Sequence, residues 1–114
     1  MSVFATAVPD KSPVLVVYVE QEGCGACEEY LPIFEKMAAP YAQRGLPIIK
    51  LDAGSTDPDA QAFMNRHGVE ATPTVIAATL YRGPVGRLEG VSTEVETRRL
   101  LDIAWAHNRP LSPW

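Results

Sequence analysis

The two cysteines of the chain stand as Cys24-Gly25-Ala26-Cys27, where an apolar run gives way to an amphipathic one. Thiols separated by two residues at a helix start can close and reopen a disulfide with little movement of the backbone, which is redox chemistry. The attacking species in such exchange is a thiolate. Free backbone N–H groups and the positive helix end favour negative charge at Cys24, which is therefore the expected nucleophile. Cys27, one turn deeper on the apolar side, is expected to resolve the mixed disulfide that Cys24 forms with a substrate. The competing readings are two reduced thiols on a structural helix, or half of a zinc site. Zinc takes about four ligands. The other candidates, His67 and His107, show no partner spacing, so no metal is expected. His67 suits the negative end of its helix, and His107 an exposed last turn.

The elements that must position this pair follow from periodicity. Val14 to Val19 is a continuous β-branched and apolar run, as for a strand buried on both faces in the middle of a sheet. From Cys27 the apolar residues fall at Cys27, Tyr30, Leu31, Phe34, Ala38 and Tyr41, one face of a helix. Pro32 lies inside it and predicts a kink rather than a break, because the apolar spacing continues beyond it. Pro47 to Asp52 reads as a second buried strand. Asp57-Pro58 then supplies an N-cap and a proline for the first helical position. Ala60, Phe63 and Met64 are expected to face inward on that helix, and Gly68 to end it.

Thr74 to Tyr81 and Val85 to Val91 read as strands of an antiparallel hairpin linked by Arg82-Gly83-Pro84. A Thr93-x-x-Glu96 capping box opens a last helix carrying Leu100, Leu101, Ala104 and Trp105. Tyr41, Tyr81 and Trp105 are assigned to core or half-buried positions. The order βαβα, then ββα, predicts an α/β chain with a mixed sheet of four to five strands and helices on both faces. Residues 1 to 13 leave room for a short edge strand, and Asn108 to Trp114 reads as an extended tail.

A chain of 114 residues, 46% hydrophobic and 21% charged, suits one domain with a real core. Net charge −4 with scattered Lys and Arg gives no surface for nucleic acid. No run approaches the roughly 20 apolar residues that cross a bilayer, and Met1 to Asp10 lacks a secretion-signal pattern. A cytoplasmic, membrane-free, monomeric protein is expected. Two cysteines cannot build the multi-bridge framework of small secreted domains, which favours a reactive pair over a structural one. No glycine-rich nucleotide fingerprint follows a strand, so the Cys24–Cys27 disulfide is the only redox group expected.

Taken together, the C-G-x-C motif after a buried strand, Pro32 five residues beyond it, Ala71-Thr72-Pro73-Thr74 opening a later strand, Gly83 in the hairpin, Gly90 near its end and a closing amphipathic helix resemble the thioredoxin family. The resemblance runs from about Val14 to Ala106. It implies a thioredoxin-like three-layer sandwich, a cis bond before Pro73 beside the cysteines, and substrate contacts from Gly23, Gly25, Ala26, Thr72, Pro73 and Gly90. It also implies disulfide-containing protein substrates and an electron donor, either a thioredoxin-reductase-like protein or a small thiol.

The departures from the family pattern are as informative. Gly23 stands where thioredoxins usually carry tryptophan, Glu20 at a usual aromatic position, and Ala26 in place of the common proline. Tyr18 occupies the place of a buried aspartate that serves the second cysteine. A phenol, with reference pKa about 10, is a poor base at neutral pH. Lys50 matches the lysine accompanying that aspartate, so proton transfer at Cys27 is assigned to water, Lys50, Glu20 or Tyr18. Glu20, Glu22, Glu28 and Glu29 crowd the pair; Glu28 and Glu29 equally suit a first helical turn. Nearby like charges disfavour the thiolate, which points to a reductant with a preference for basic substrates.

The leading reading is a thiol–disulfide oxidoreductase that reduces protein disulfides through a Cys24/Cys27 cycle. Another reading is a thioredoxin-like binding or scaffolding module whose pair reacts slowly. A glutaredoxin-like enzyme ranks below both, because Gly25 stands where that group typically has proline.

Overall fold

A computed structural model describes residues 13–79 and 83–108. The suggested edge strand in 1 to 13, Tyr81 and the tail 109 to 114 lie outside the described residues, apart from Pro13. Strands β1 (Val14–Glu20), β2 (Ile48–Asp52), β3 (Thr74–Thr79) and β4 (Gly83–Glu89) alternate with helices α1 (Gly25–Gln43), α2 (Pro58–Arg66) and α3 (Glu94–Asn108). The sheet order is β2-β1-β3-β4. β1 pairs with β2 in parallel and with β3 antiparallel, and β3–β4 is an antiparallel hairpin. β4 begins earlier than expected, since Gly83 and Pro84 pair with Thr79 and Ala78 inside the ladder.

Alternation along the strands assigns the layers. Val14, Val16 and Tyr18 of β1 and Val75 and Ala77 of β3 share one buried cluster with Tyr30, Phe34 and Met37 of α1 and Leu100, Leu101 and Ala104 of α3. α1 and α3 therefore cover the same face. On the opposite face Val17 and Ile76 are also fully buried. There Arg87, in register with Ile76, sends its guanidinium to the carbonyls of His67 and Gly68 at the end of α2. The third layer is thus α2. Ala60 is buried as expected, whereas Phe63 and Met64 are half-buried.

Two further expectations are corrected, one on burial and one on a boundary. β2 is not a buried strand: Ile49 is 44% exposed, and Lys50 and Asp52 are exposed. Among the described residues β2 has a strand neighbour on one side only, and β1 and β3 take the interior places. Asn108 does not begin an extended tail. It is the last residue of α3, and its amide brackets Val14, accepting from the Val14 N–H at 2.6 Å and donating to its carbonyl at 2.9 Å.

α1 runs unbroken through Pro32 and also through Pro40. Both prolines are on the exposed side, where water can serve the carbonyls that their missing N–H groups leave free. The helix ends in a Schellman motif: Leu46 N–H reaches Tyr41 O, Gly45 N–H reaches Ala42 O, and Gly45 takes φ +102°. Across the core, Thr97 donates to Thr93 O and accepts from the Tyr30 hydroxyl, tying α1 to α3. The capping box forms as expected, with Thr93 N–H to Glu96 Oε1 at 3.0 Å and Glu96 N–H to Thr93 Oγ1 at 3.1 Å. Trp105 is half-buried, with the Arg44 guanidinium over its ring and that of Tyr41.

Candidate active site

β1 delivers the chain to the site through a four-residue turn, closed by Cys24 N–H to Gln21 O at 3.2 Å. Gly23 is its third residue, with φ +78°. A side chain there would meet nothing within 4 Å, so glycine is selected by backbone conformation and not by space. Cys24 is the N-cap of α1, extended at φ −88° and ψ 107°, and its Sγ accepts from Cys27 N–H at 3.1 Å. Gly25 and Ala26 form the exposed first positions of the helix.

Cys24 and Cys27 are joined in a disulfide with Cα atoms 5.2 Å apart. Cys24 is half-buried, while Cys27 is 5% exposed. Exposure thus separates the two cysteines. The segment before β3 closes over Cys24: Thr72 Oγ1 donates to its Sγ at 3.3 Å, and Thr72 O lies 3.5 Å from the same sulfur. The Thr72–Pro73 bond is cis and Pro73 is buried. Gly90, at φ +77°, donates its N–H to Pro73 O at 2.8 Å. Thr72, Pro73 and Gly90 are therefore assembled beside the cysteine pair. On reduction, two donors already aimed at Cys24, one N–H and one O–H, favour charge on that sulfur.

A hollow of about 240 Å³ opens beside the disulfide, lined by both cysteines, Gly23 and Leu31, with Glu20, Glu22 and Glu28 around it. The acidic crowding read from sequence thus belongs largely to the site itself; Glu29 is exposed and does not line the hollow.

The three proton-transfer candidates are separated by the fold. Tyr18 is fully buried and its hydroxyl donates to Cys27 O at 3.4 Å. Burial first, then the charges of Glu20 and Glu35 and the neighbouring Tyr30, push its pKa up to about 12. Lys50 is turned to Glu35 on α1 in an exposed ion pair at 3.0 Å. Glu20 is half-buried at the end of β1 and lines the hollow. Sequence reasoning missed Glu35, which stands two helical steps of four beyond Cys27; that spacing with Leu31 between them was the available signal.

His67 caps α2 against the Phe63 ring, with centroids 4.3 Å apart. Burial, then Arg66 and Arg87, lowers its pKa. Its setting disfavours the cation that the helix-end argument expected. Among the described residues no group of three or more His, Cys, Asp and Glu could hold a metal ion. No helix of the described residues is long and apolar enough to cross a membrane.

No family model matches the chain. Two curated proteins called thiol-disulfide oxidoreductase ResA, from Bacillus thuringiensis (strain Al Hakam) and Bacillus anthracis, are each 34% identical over 47 residues, which is 41% of this chain. The chain spans about a quarter of the length of these relatives, the match covering 27%. Among solved structures, a thioredoxin from Thermus thermophilus superposes with TM-score 0.67 at 20% identity, covering 84% of this chain and 76% of that one. Drosophila melanogaster Deadhead gives 0.63 at 18% identity, covering 80% of each chain. Schistosoma mansoni thioredoxin gives 0.61 at 22% identity, covering 81% of this chain and 79% of that one. The fold is thioredoxin-like, and the C-x-x-C pair occupies its helix start.

Proposed function

We propose that this chain is a thiol–disulfide oxidoreductase that reduces protein disulfides, with Cys24 attacking and Cys27 resolving. The observation that carries this reading is the unequal setting of the two sulfurs: Cys24 is accessible at a helix start with two donors on it, and Cys27 is shielded beneath. The name of the curated relatives states the same chemistry and supports it. Substrate main chain would lie along Gly23, Gly25, Ala26, Thr72, Pro73 and Gly90. The resulting Cys24–Cys27 disulfide would be reopened by a reductase-like protein or a small thiol, as electron transport in the cytoplasm requires, with one chain sufficient for the cycle.

The second reading, a binding module with a slow pair, draws support from Tyr18, which holds the Cys27 carbonyl where a buried acid would otherwise serve the thiol. Trapping tests the leading one. Cys27→Ser should accumulate a stable mixed disulfide with a disulfide-bearing protein, and Cys24→Ser should form none. Equal trapping by both variants would remove the assignment of Cys24 as nucleophile.

A further inference from the structure

We propose that Glu20 is the group that takes the proton from the Cys27 thiol as the mixed disulfide is resolved, and returns it to the departing substrate sulfur, through water in the hollow beside the pair. The inference rests on the oxidoreductase reading above and deepens it.

Tyr18 and Glu20 are two residues apart in β1, so both project to the face that α1 covers. Tyr18 reaches Cys27 from beneath, at the carbonyl. Glu20 stands one pleat further along, where β1 ends, and lines the same hollow as both cysteines. A space of about 240 Å³ is ample for the water that a relay needs, since one water occupies about 30 Å³ of liquid.

The other groups facing Glu20 are poor alternatives. Tyr18 keeps its proton at neutral pH, being pushed up to about 12, and its O–H is already committed to the Cys27 carbonyl. Lys50 is paired with Glu35. Asp52, in register with Glu20 on β2, accepts from Gly54 N–H at 2.8 Å. Glu22 in the turn and Glu28 on α1 are exposed, whereas Glu20 is half-buried. Glu20 is thus the least exposed carboxylate of the hollow, held at the end of β1.

The Cys24 thiolate attacks one sulfur of the substrate disulfide, and the other leaves and takes up a proton. The Cys27 thiol then loses its proton to Glu20 and attacks the Cys24 sulfur. The Cys24–Cys27 bond forms, the Cys24–substrate bond breaks, and the second substrate sulfur leaves with the proton that Glu20 held. Two electrons pass from the cysteine pair to the substrate.

The test follows the fully reduced protein reacting with neutral dithiodipyridine, which releases two pyridinethiones. The first release depends on reagent concentration and reports Cys24; the second is unimolecular and reports Cys27. Glu20→Gln should slow the second phase by at least about tenfold. It should also remove the acid limb of that phase's pH profile while changing the first phase less than twofold. Glu20→Asp should restore part of the rate and the limb. Glu20→Ser, read in the same way, decides the matter should the glutamine variant not fold. An unchanged second phase with a normal first phase would overturn the role of Glu20 and leave the oxidoreductase reading standing. A missing first phase in the wild type would instead overturn that reading.

Discussion

At the scale of single residues, the chemistry is concentrated in a sulfur with two donors and a phenol beneath its partner. Tyr18→Phe removes one hydrogen bond to Cys27 O and should cost about 1 kcal/mol of stability. It should not alter the pH dependence of exchange near neutrality. Its effect on stability has a definite sign. The folded-state pKa is raised to about 12, so above about pH 10, the phenol's reference value, the unfolded chain releases a proton that the folded one retains. Stability at Tyr18 is therefore fully present below about pH 10 and lost towards pH 12. Alkaline unfolding followed by circular dichroism should show this slope reduced in Tyr18→Phe; an identical slope would contradict the burial argument. The cysteine pair was legible as a candidate disulfide because the C-x-x-C spacing at a strand-to-helix junction came together with Pro32 and Thr72-Pro73. The separation of Tyr18, Lys50 and Glu20 was not, since it depends on how deep α1 sits on β1 and on Glu35 drawing Lys50 away.

At the scale of elements, turns and caps do the positioning. Gly23 occupies the left-handed region in the turn that presents Cys24, so Gly23→Trp, which restores the commoner residue of the resembling family, should destabilise by about 1–2 kcal/mol. Thr93→Ala removes half of the capping box and should cost about 1 kcal/mol. Thermal melting checks both, and a Gly23→Trp variant as stable as the wild type would show the turn to be adaptable. The helices were readable because their apolar spacing and caps are local signals: Cys27, Tyr30, Phe34 and Ala38 are all buried on one side of α1. Burial of β2 was misread from its apolar composition, because a strand's rank in the sheet is set by its neighbours and not by its own residues. The bracket of Asn108 on Val14 joins positions 94 residues apart and left no local trace.

At the scale of the whole molecule, the net charge of −4 is less informative than where the charge lies. Glu20, Glu22 and Glu28 surround the hollow beside Cys24, so a basic disulfide peptide should react several-fold faster than an acidic one at low salt, with the difference fading as salt is added. A ratio independent of salt would show that these carboxylates do not steer substrates. The order of elements made the mixed sheet and its layers legible, while the antiparallel placing of β3 against β1 emerged only from the fold. The central claim, that the Cys24–Cys27 pair reduces protein disulfides catalytically, is tested most directly by turnover of a disulfide-bonded protein with dithiothreitol as electron donor. The wild type should exceed the rate of dithiothreitol alone and Cys24→Ser should fall to it; a wild type no faster than the free dithiol would contradict the account.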